Sequence, residues 1–148
     1  MTERMYTSKQ MGDASEMLVA AELTLAGIPA MKVPDSWPGY DVVAQPPNKE
    51  PQCISVKSRT FKRGPAFVAY SKNDVFDWIA IVLLNCDGVK SRRFFLIPRE
   101  AADKNARRNQ PTAKNADERY WRIDEVPTIF ARFENNFSLD ATVDRALY

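Results

Sequence analysis

Apolar residues recur at helical spacing near the start of the chain. Met11, Ala14, Leu18, Ala21 and Leu25 form one stripe at intervals of three and four. Val19, Ala20, Leu23 and Ala26 line much of the opposite side. Thr7-Ser8-Lys9-Gln10 fits a capping box, with Thr7 as N-cap and Gln10 three residues on, and Gly27 is a natural stop. The pattern predicts a helix from Thr7 to about Ala26. A helix apolar on two sides is expected to be buried on both, against a sheet and against a partner subunit, which points to a homodimer. Glu16 falls on the second face, one turn before Val19 and Ala20. A carboxylate among apolar neighbours needs a reason, because burying it unpaired is costly.

After Gly27 the helical period gives way to short extended runs. Strands are predicted over 28–33, 41–44, 52–58 and 67–70. A continuous apolar run over 79–84 suits a buried central strand. Another strand follows over 93–97 and ends at Pro98. Between them lie a loop over 34–39 holding Trp37, a polar turn over 45–51 and a basic loop or lid over 59–65. One helical turn is expected over 73–78 and a turn over 85–91. A basic helix over 99–109, an exposed loop over 110–115, a short strand over 120–123, a helix from near Asp124 and a polar tail complete the chain. The order predicts an α/β or α+β domain: a mixed β-sheet flanked by helices, with a long helix ahead of the central strands. At 148 residues the whole span 1–148 is expected to form one domain with a substantial core.

Composition narrows the chemistry. There is no histidine, which removes Ser-His-Asp and Cys-His catalysis, zincin-type sites and histidine-based nuclease chemistry. Two cysteines, Cys53 and Cys86, cannot build a four-ligand zinc site and are expected to be free thiols of a cytoplasmic protein. No apolar run approaches membrane-spanning length, and no apolar h-region follows the first residues. Catalysis must therefore run on Asp, Glu, Lys, Tyr, Ser or a hard metal held by oxygen ligands.

Two short runs carry such groups: Gly39-Tyr40-Asp41-Val42-Val43 and Ile54-Ser55-Val56-Lys57-Ser58. A strand alternates faces, so Ser55 and Lys57 point the same way, about 6.6 Å apart along the strand. If the two runs pair as a hairpin, Asp41 reaches that same face. Asp41, at the head of an apolar strand, is preferred over Asp35 of the Pro34-Asp35 pair, which lies in a loop. Taken singly, Asp41 also reads as a turn acid and Lys57 as an edge-strand lysine placed against aggregation.

In their order and spacing these residues resemble the PD-(D/E)XK nuclease superfamily, particularly its small resolvase-like and restriction-endonuclease-like members. The carriers are Gly12-x-x-x-Glu16 and the apolar helix ending at Gly27, then Gly39 to Val43, then Ile54 to Lys57. Phe76 to Val82 and Phe94 to Pro98 fit the remaining core strands. The resemblance implies a DNA-cleaving enzyme using Mg²⁺ or Mn²⁺. Asp41 would hold the metal, with Glu16 and the Val56 carbonyl completing its shell, and Lys57 would position and help deprotonate the attacking water or stabilise the pentavalent phosphate. Ser55 stands where that pattern carries a second carboxylate, and fewer carboxylates bind a hard cation more weakly. Glu50 and Gln52 are poor substitutes by position. A non-catalytic DNA-binding module and a protein-interaction module on the same fold are the alternatives.

Net charge is only +2, but its distribution is uneven. Bases dominate the stretch from Lys90 to Lys114, and acids the remainder. Arg59, Lys62 and Arg63 directly follow the site strand and are expected to contact phosphates of a DNA partner. Arg107 and Arg108, on a late helix, would extend that track. Trp37 and Tyr40 are placed either to stack on bases or to cap the core.

Overall fold

A computed structural model describes residues 5–86 and 91–142. The first helix, α1, spans Ser8–Leu25. Its N-terminus is closed by the expected capping box: the Gln10 N–H donates to Thr7 Oγ1 and the Thr7 N–H donates to Gln10 Oε1. Gly27, at φ +95°, lets the chain turn away. Six strands follow: β1 (Ala30–Lys32), β2 (Val42–Ala44), β3 (Gln52–Thr60), β4 (Phe67–Ser71), β5 (Trp78–Cys86) and β6 (Ser91–Pro98). After them come α2 (Arg99–Asn105), β7 (Arg107–Arg108), β8 (Glu118–Arg122) and α3 (Val126–Ile129), the last flanked by short 3₁₀ turns.

Two sheets form. The larger has strand order β1-β2-β3-β5-β6 and the smaller β4-β8-β7. In the larger sheet β3 and β5 pair parallel while the other neighbours are antiparallel, so it is mixed, as the order of the elements predicts. The sheet is covered on both faces, which explains why β5 is apolar and buried from Trp78 to Leu84. On one face Ile54, Trp78, Ala80 and Val82 pack with Val19, Ala20 and Leu23 of α1. On the other, Ile79, Ile81, Leu83 and Phe95 pack with Val68, Tyr70 and Trp121 of the smaller sheet. Both cysteines are free thiols. No helix of the described residues is long and apolar enough to cross a membrane.

Several expectations need correction. Within the single chain α1 is buried on one side only: its inward face is Met11, Ser15, Val19, Ala20 and Leu23, while Leu25 is 83% exposed. Of the stripe headed by Met11, Ala14 and Ala21 are also exposed, because a single sheet covers only one arc of the helix. β3 runs on to Thr60, so Arg59 is a strand residue rather than part of a lid. Residues 73–77 form a turn, with no helix before β5. The helix after Pro98 stops at Asn105, so Arg107 and Arg108 lie on β7, not on a helix. The predicted turn over 85–91 falls largely on 87–90, outside the described residues, as does Lys90. Strands over 67–70 and 120–123 are predicted and form β4 and β8, but their pairing with each other and the two-residue β7 have no local sequence signal.

Candidate active site

β2 pairs with β3 only from Val42–Ile54 to Ala44–Gln52. Beyond Ile54, no strand among the described residues pairs on that side of β3. Asp41 stands at this fork. Its N–H donates to the Ile54 carbonyl and its own carbonyl accepts from the Val33 N–H, each at 2.9 Å. Its carboxylate then takes the place of the missing strand, with Oδ2 accepting from the Val56 N–H at 2.8 Å. The N–H and C=O of one strand residue face the same edge, so the Val56 carbonyl points to the side on which Asp41 sits.

The site straddles that free edge. Ser55 and Lys57 lie in register with Ile79 and Ile81 and face the smaller sheet's side. Val56 lies on the α1 side, with Ile54. α1 brings Glu16 from there. Burial pushes the Glu16 carboxyl above its ordinary range, and the negative charge of Asp41 pushes it further; Lys32 opposes both. The two acids therefore share one electrostatic environment. Lys32 of β1 reaches Glu16 at 3.4 Å and Asp35 at 2.8 Å.

Sequence reasoning passed over part of this acidic cluster. Asp13, Glu16 and Asp35 each present a carboxylate oxygen within 4.8 Å of the others. Lys9 bridges Asp13 and Asp35 at 3.3 and 3.0 Å. The hydrogen bonds from Lys32 and Lys9 hold the Asp35 carboxyl down at about 2. Asp13 was legible as the acid one turn before Glu16. Asp35 was legible in the Pro34-Asp35 pair and was set aside for its loop position; the loop folds back so that it joins the cluster.

The donor set is all oxygen: carboxylates from α1, the 34–41 segment and a strand-edge carbonyl. That chemistry fits a hard divalent cation such as Mg²⁺ or Mn²⁺. Ser55, 5% exposed, supplies a hydroxyl and no charge. Gln52 does not replace the missing acid. Its side-chain oxygen accepts from the Trp78 indole at 2.9 Å and its nitrogen donates to the Glu50 carbonyl at 3.0 Å.

Among the described residues the Lys57 ammonium has no hydrogen-bond or ion-pair partner. It opens onto a groove of about 830 Å³ between the first turns of α1 and the outer half of β3. Ser8, Gly12, Thr60, Lys62 and Phe67 contribute to its walls. Arg59 lines it too, but its guanidinium is folded onto the backbone, donating to the Ser58 and Phe67 carbonyls at 2.8 and 3.3 Å. Lys62 and Arg63 are exposed. Arg107 is paired with Glu125 at 2.8 Å, and Arg108 donates to the Asp103 carbonyl at 3.4 Å, both on the smaller sheet.

Two nucleases are among the solved structures that this chain resembles. One is a bacterial homing endonuclease, I-Ssp6803I, 16% identical, with 77% of this chain and 89% of that chain covered at a TM-score of 0.51. The other is Hjc, a Holliday junction resolvase from the archaeal hyperthermophile Archaeoglobus fulgidus. It is 19% identical, with 81% of this chain and 87% of that chain covered at a TM-score of 0.52. The chain has a restriction-endonuclease-like fold. At the level of the fold this bears out the PD-(D/E)XK resemblance and the mixed sheet behind a long first helix. No family model matches the chain, and no curated protein matches it.

Proposed function

We propose that this restriction-endonuclease-like domain is a metal-dependent endonuclease that hydrolyses phosphodiester bonds of DNA in the cytoplasm. The observation that carries the reading is the fork at Ile54, where the Asp41 carboxylate meets the Val56 N–H in the electrostatic range of Glu16, with an unpaired Lys57 one residue further along β3 on its other face. Asp41, Glu16 and the Val56 carbonyl would hold Mg²⁺ or Mn²⁺. Such an ion lowers the pKa of a bound water and neutralises charge on the phosphate. Lys57 orients the attacking water and, as a neutral amine, accepts its proton, or, as an ammonium, stabilises the negative charge gathering on phosphorus. Ser55 offers a neutral hydroxyl where a second carboxylate would add charge, so the site is expected to need a higher metal concentration than a two-carboxylate site.

Lys62 and Arg63 contact phosphates on either side of the scissile bond. Arg59 contributes positive potential from a fixed position. Arg107 and Arg108 are weaker candidates for this role, since both are engaged on the smaller sheet. A homodimer would cover the outer apolar stripe of α1.

The deciding experiment is cleavage of supercoiled plasmid and branched DNA with Mg²⁺ or Mn²⁺, comparing the native chain with Lys57→Ala. Cleavage by the native chain alone supports the reading; equal cleavage by both refutes the assignment of Lys57. The neutral Ser55 favours one second reading, a non-catalytic DNA-binding module on the same fold. Salt-sensitive DNA binding that needs no metal, with no cleavage by either protein, would select it.

A further inference from the structure

Trp37 is 49% exposed, whereas Trp78 and Trp121 are 5% and 0% exposed. The loop that carries it leaves β1 on the α1 side, where Asp35 joins Glu16 and Asp13. It ends on the opposite face of the sheet, where Tyr40 reaches Cys53. The loop thus wraps around the end of β2, and in the sequence Trp37 falls between Asp35 of the cluster and Asp41.

Its geometry is held on three sides. The Trp37 N–H donates to the Pro34 carbonyl at 2.9 Å. The indole meets the Tyr40 ring edge-on, with centroids 6.4 Å apart and planes at 73°. Gly39 adopts φ +91° and packs so closely on the 73–77 turn that a Cβ there would lie 3.3 Å from the Val75 carbonyl oxygen. A large aromatic ring left half in water, on a loop braced this way, is not serving the core. Val75, 72% exposed, continues the apolar surface beside it.

We propose that Trp37, backed by Tyr40, is a stacking platform for an unpaired DNA base next to the cleavage site, and that the substrate class is DNA with a base out of its stack. The inference rests on the nuclease reading. A fully paired duplex offers no free base face, whereas a bulge, fork or single strand does. Trp37 lies two residues from Asp35 and four from Asp41 on one short loop, so a strand held at those acids passes within reach of the indole.

Trp37 is also its own reporter, because the other two indoles are buried. The test adds two oligonucleotides to the Lys57→Ala protein in Mg²⁺, a fully paired duplex and the same duplex with one unpaired thymine. Binding is followed by anisotropy of a label and stacking by tryptophan emission. The unpaired thymine should quench emission strongly while the paired duplex leaves it unchanged. Adding Trp37→Phe should remove the quench and keep most of the affinity; Trp37→Ala should weaken binding of the unpaired-base duplex about tenfold and leave the paired duplex as it was. Equal binding of both oligonucleotides with unchanged emission overturns this inference and leaves the nuclease reading standing. Failure to bind either one overturns both.

Discussion

The Asp41 carboxylate accepts the Val56 N–H at 2.8 Å at the point where β2 leaves β3. One side chain therefore has two duties: it caps a strand edge and offers an anionic oxygen to the site. The two separate by substitution. Asp41→Asn keeps an acceptor for Val56 and should unfold within about 0.5 kcal/mol of the native chain while losing metal-dependent cleavage. Asp41→Ala leaves the N–H without its partner and should cost about 1–2 kcal/mol as well as activity. Urea titrations of both variants check this; equal destabilisation would mean that the carboxylate's charge, not the hydrogen bond, supports the strand.

Lys57 has no partner among the described residues, so the fold does not depend on its charge. Lys57→Ala should lower the cleavage rate by roughly 10²–10⁴, the range for a positioned proton-transfer group, while stability stays within about 0.5 kcal/mol. Lys57→Arg keeps the charge but replaces a compact ammonium with a planar fork that stays protonated, and should also be impaired. Single-turnover rates at saturating metal give the answer. Full activity in the arginine variant would reduce the role of Lys57 to electrostatics.

Glu16 has a carboxyl raised by burial and by Asp41. A proton on Glu16 competes with a cation, so apparent Mg²⁺ affinity should rise with pH through a window above the usual carboxylate range. Lys32→Met removes the charge that opposes the shift and should move that window to higher pH. Stability has the opposite sign. The folded state holds this proton more tightly than the unfolded chain, so an ionised Glu16 weakens the fold once pH exceeds its raised value. Glu16→Gln should therefore raise Tm at neutral pH, and the gain should vanish below about pH 4, where both states are protonated. Thermal melts across pH, without divalent metal, test both signs.

Ser55 is 5% exposed and shares a face with Lys57. Ser55→Glu adds the absent carboxylate at the site, and the added charge should lower the Mg²⁺ concentration for half-maximal cleavage about tenfold or more. In the absence of metal the same variant should be less stable, because it sets a buried charge beside Asp41. Melting curves with and without Mg²⁺ should show that gap closing as metal is added. A variant with unchanged metal dependence would mean that position 55 lies outside the metal shell.

Much of this molecule was legible before any coordinates. Periodicity and a capping box located α1 within a residue at its start, because both are local signals. The unbroken apolar run of β5 marked a strand covered on two faces. What failed depended on distant partners. Which arc of α1 is buried within the chain is set by the sheet, not by the helix, so helical spacing alone does not distinguish the inward face from the stripe through Leu25. β4 and β8 are too short to announce their pairing, and Arg107 and Arg108 gain strand geometry only from Tyr120 and Arg119. Asp41, Ser55 and Lys57 stand out as candidates by type and spacing, whereas Asp35 joins the acidic cluster only because its loop folds back.

The topology also bears on how the chain is made. β4 lies between β3 and β5 in sequence, yet its strand partner is β8, nearly fifty residues later. During synthesis the two parallel central strands are complete before the layer that covers them exists. Until residues 118–122 emerge, β4 presents an unpaired edge and Ile79, Ile81 and Leu83 lack the Trp121 side of their core. That interval leaves a nascent chain open to edge-to-edge association. Slow translation ahead of β8 should lower the yield of folded protein, while synonymous changes after Arg122 should be far less costly.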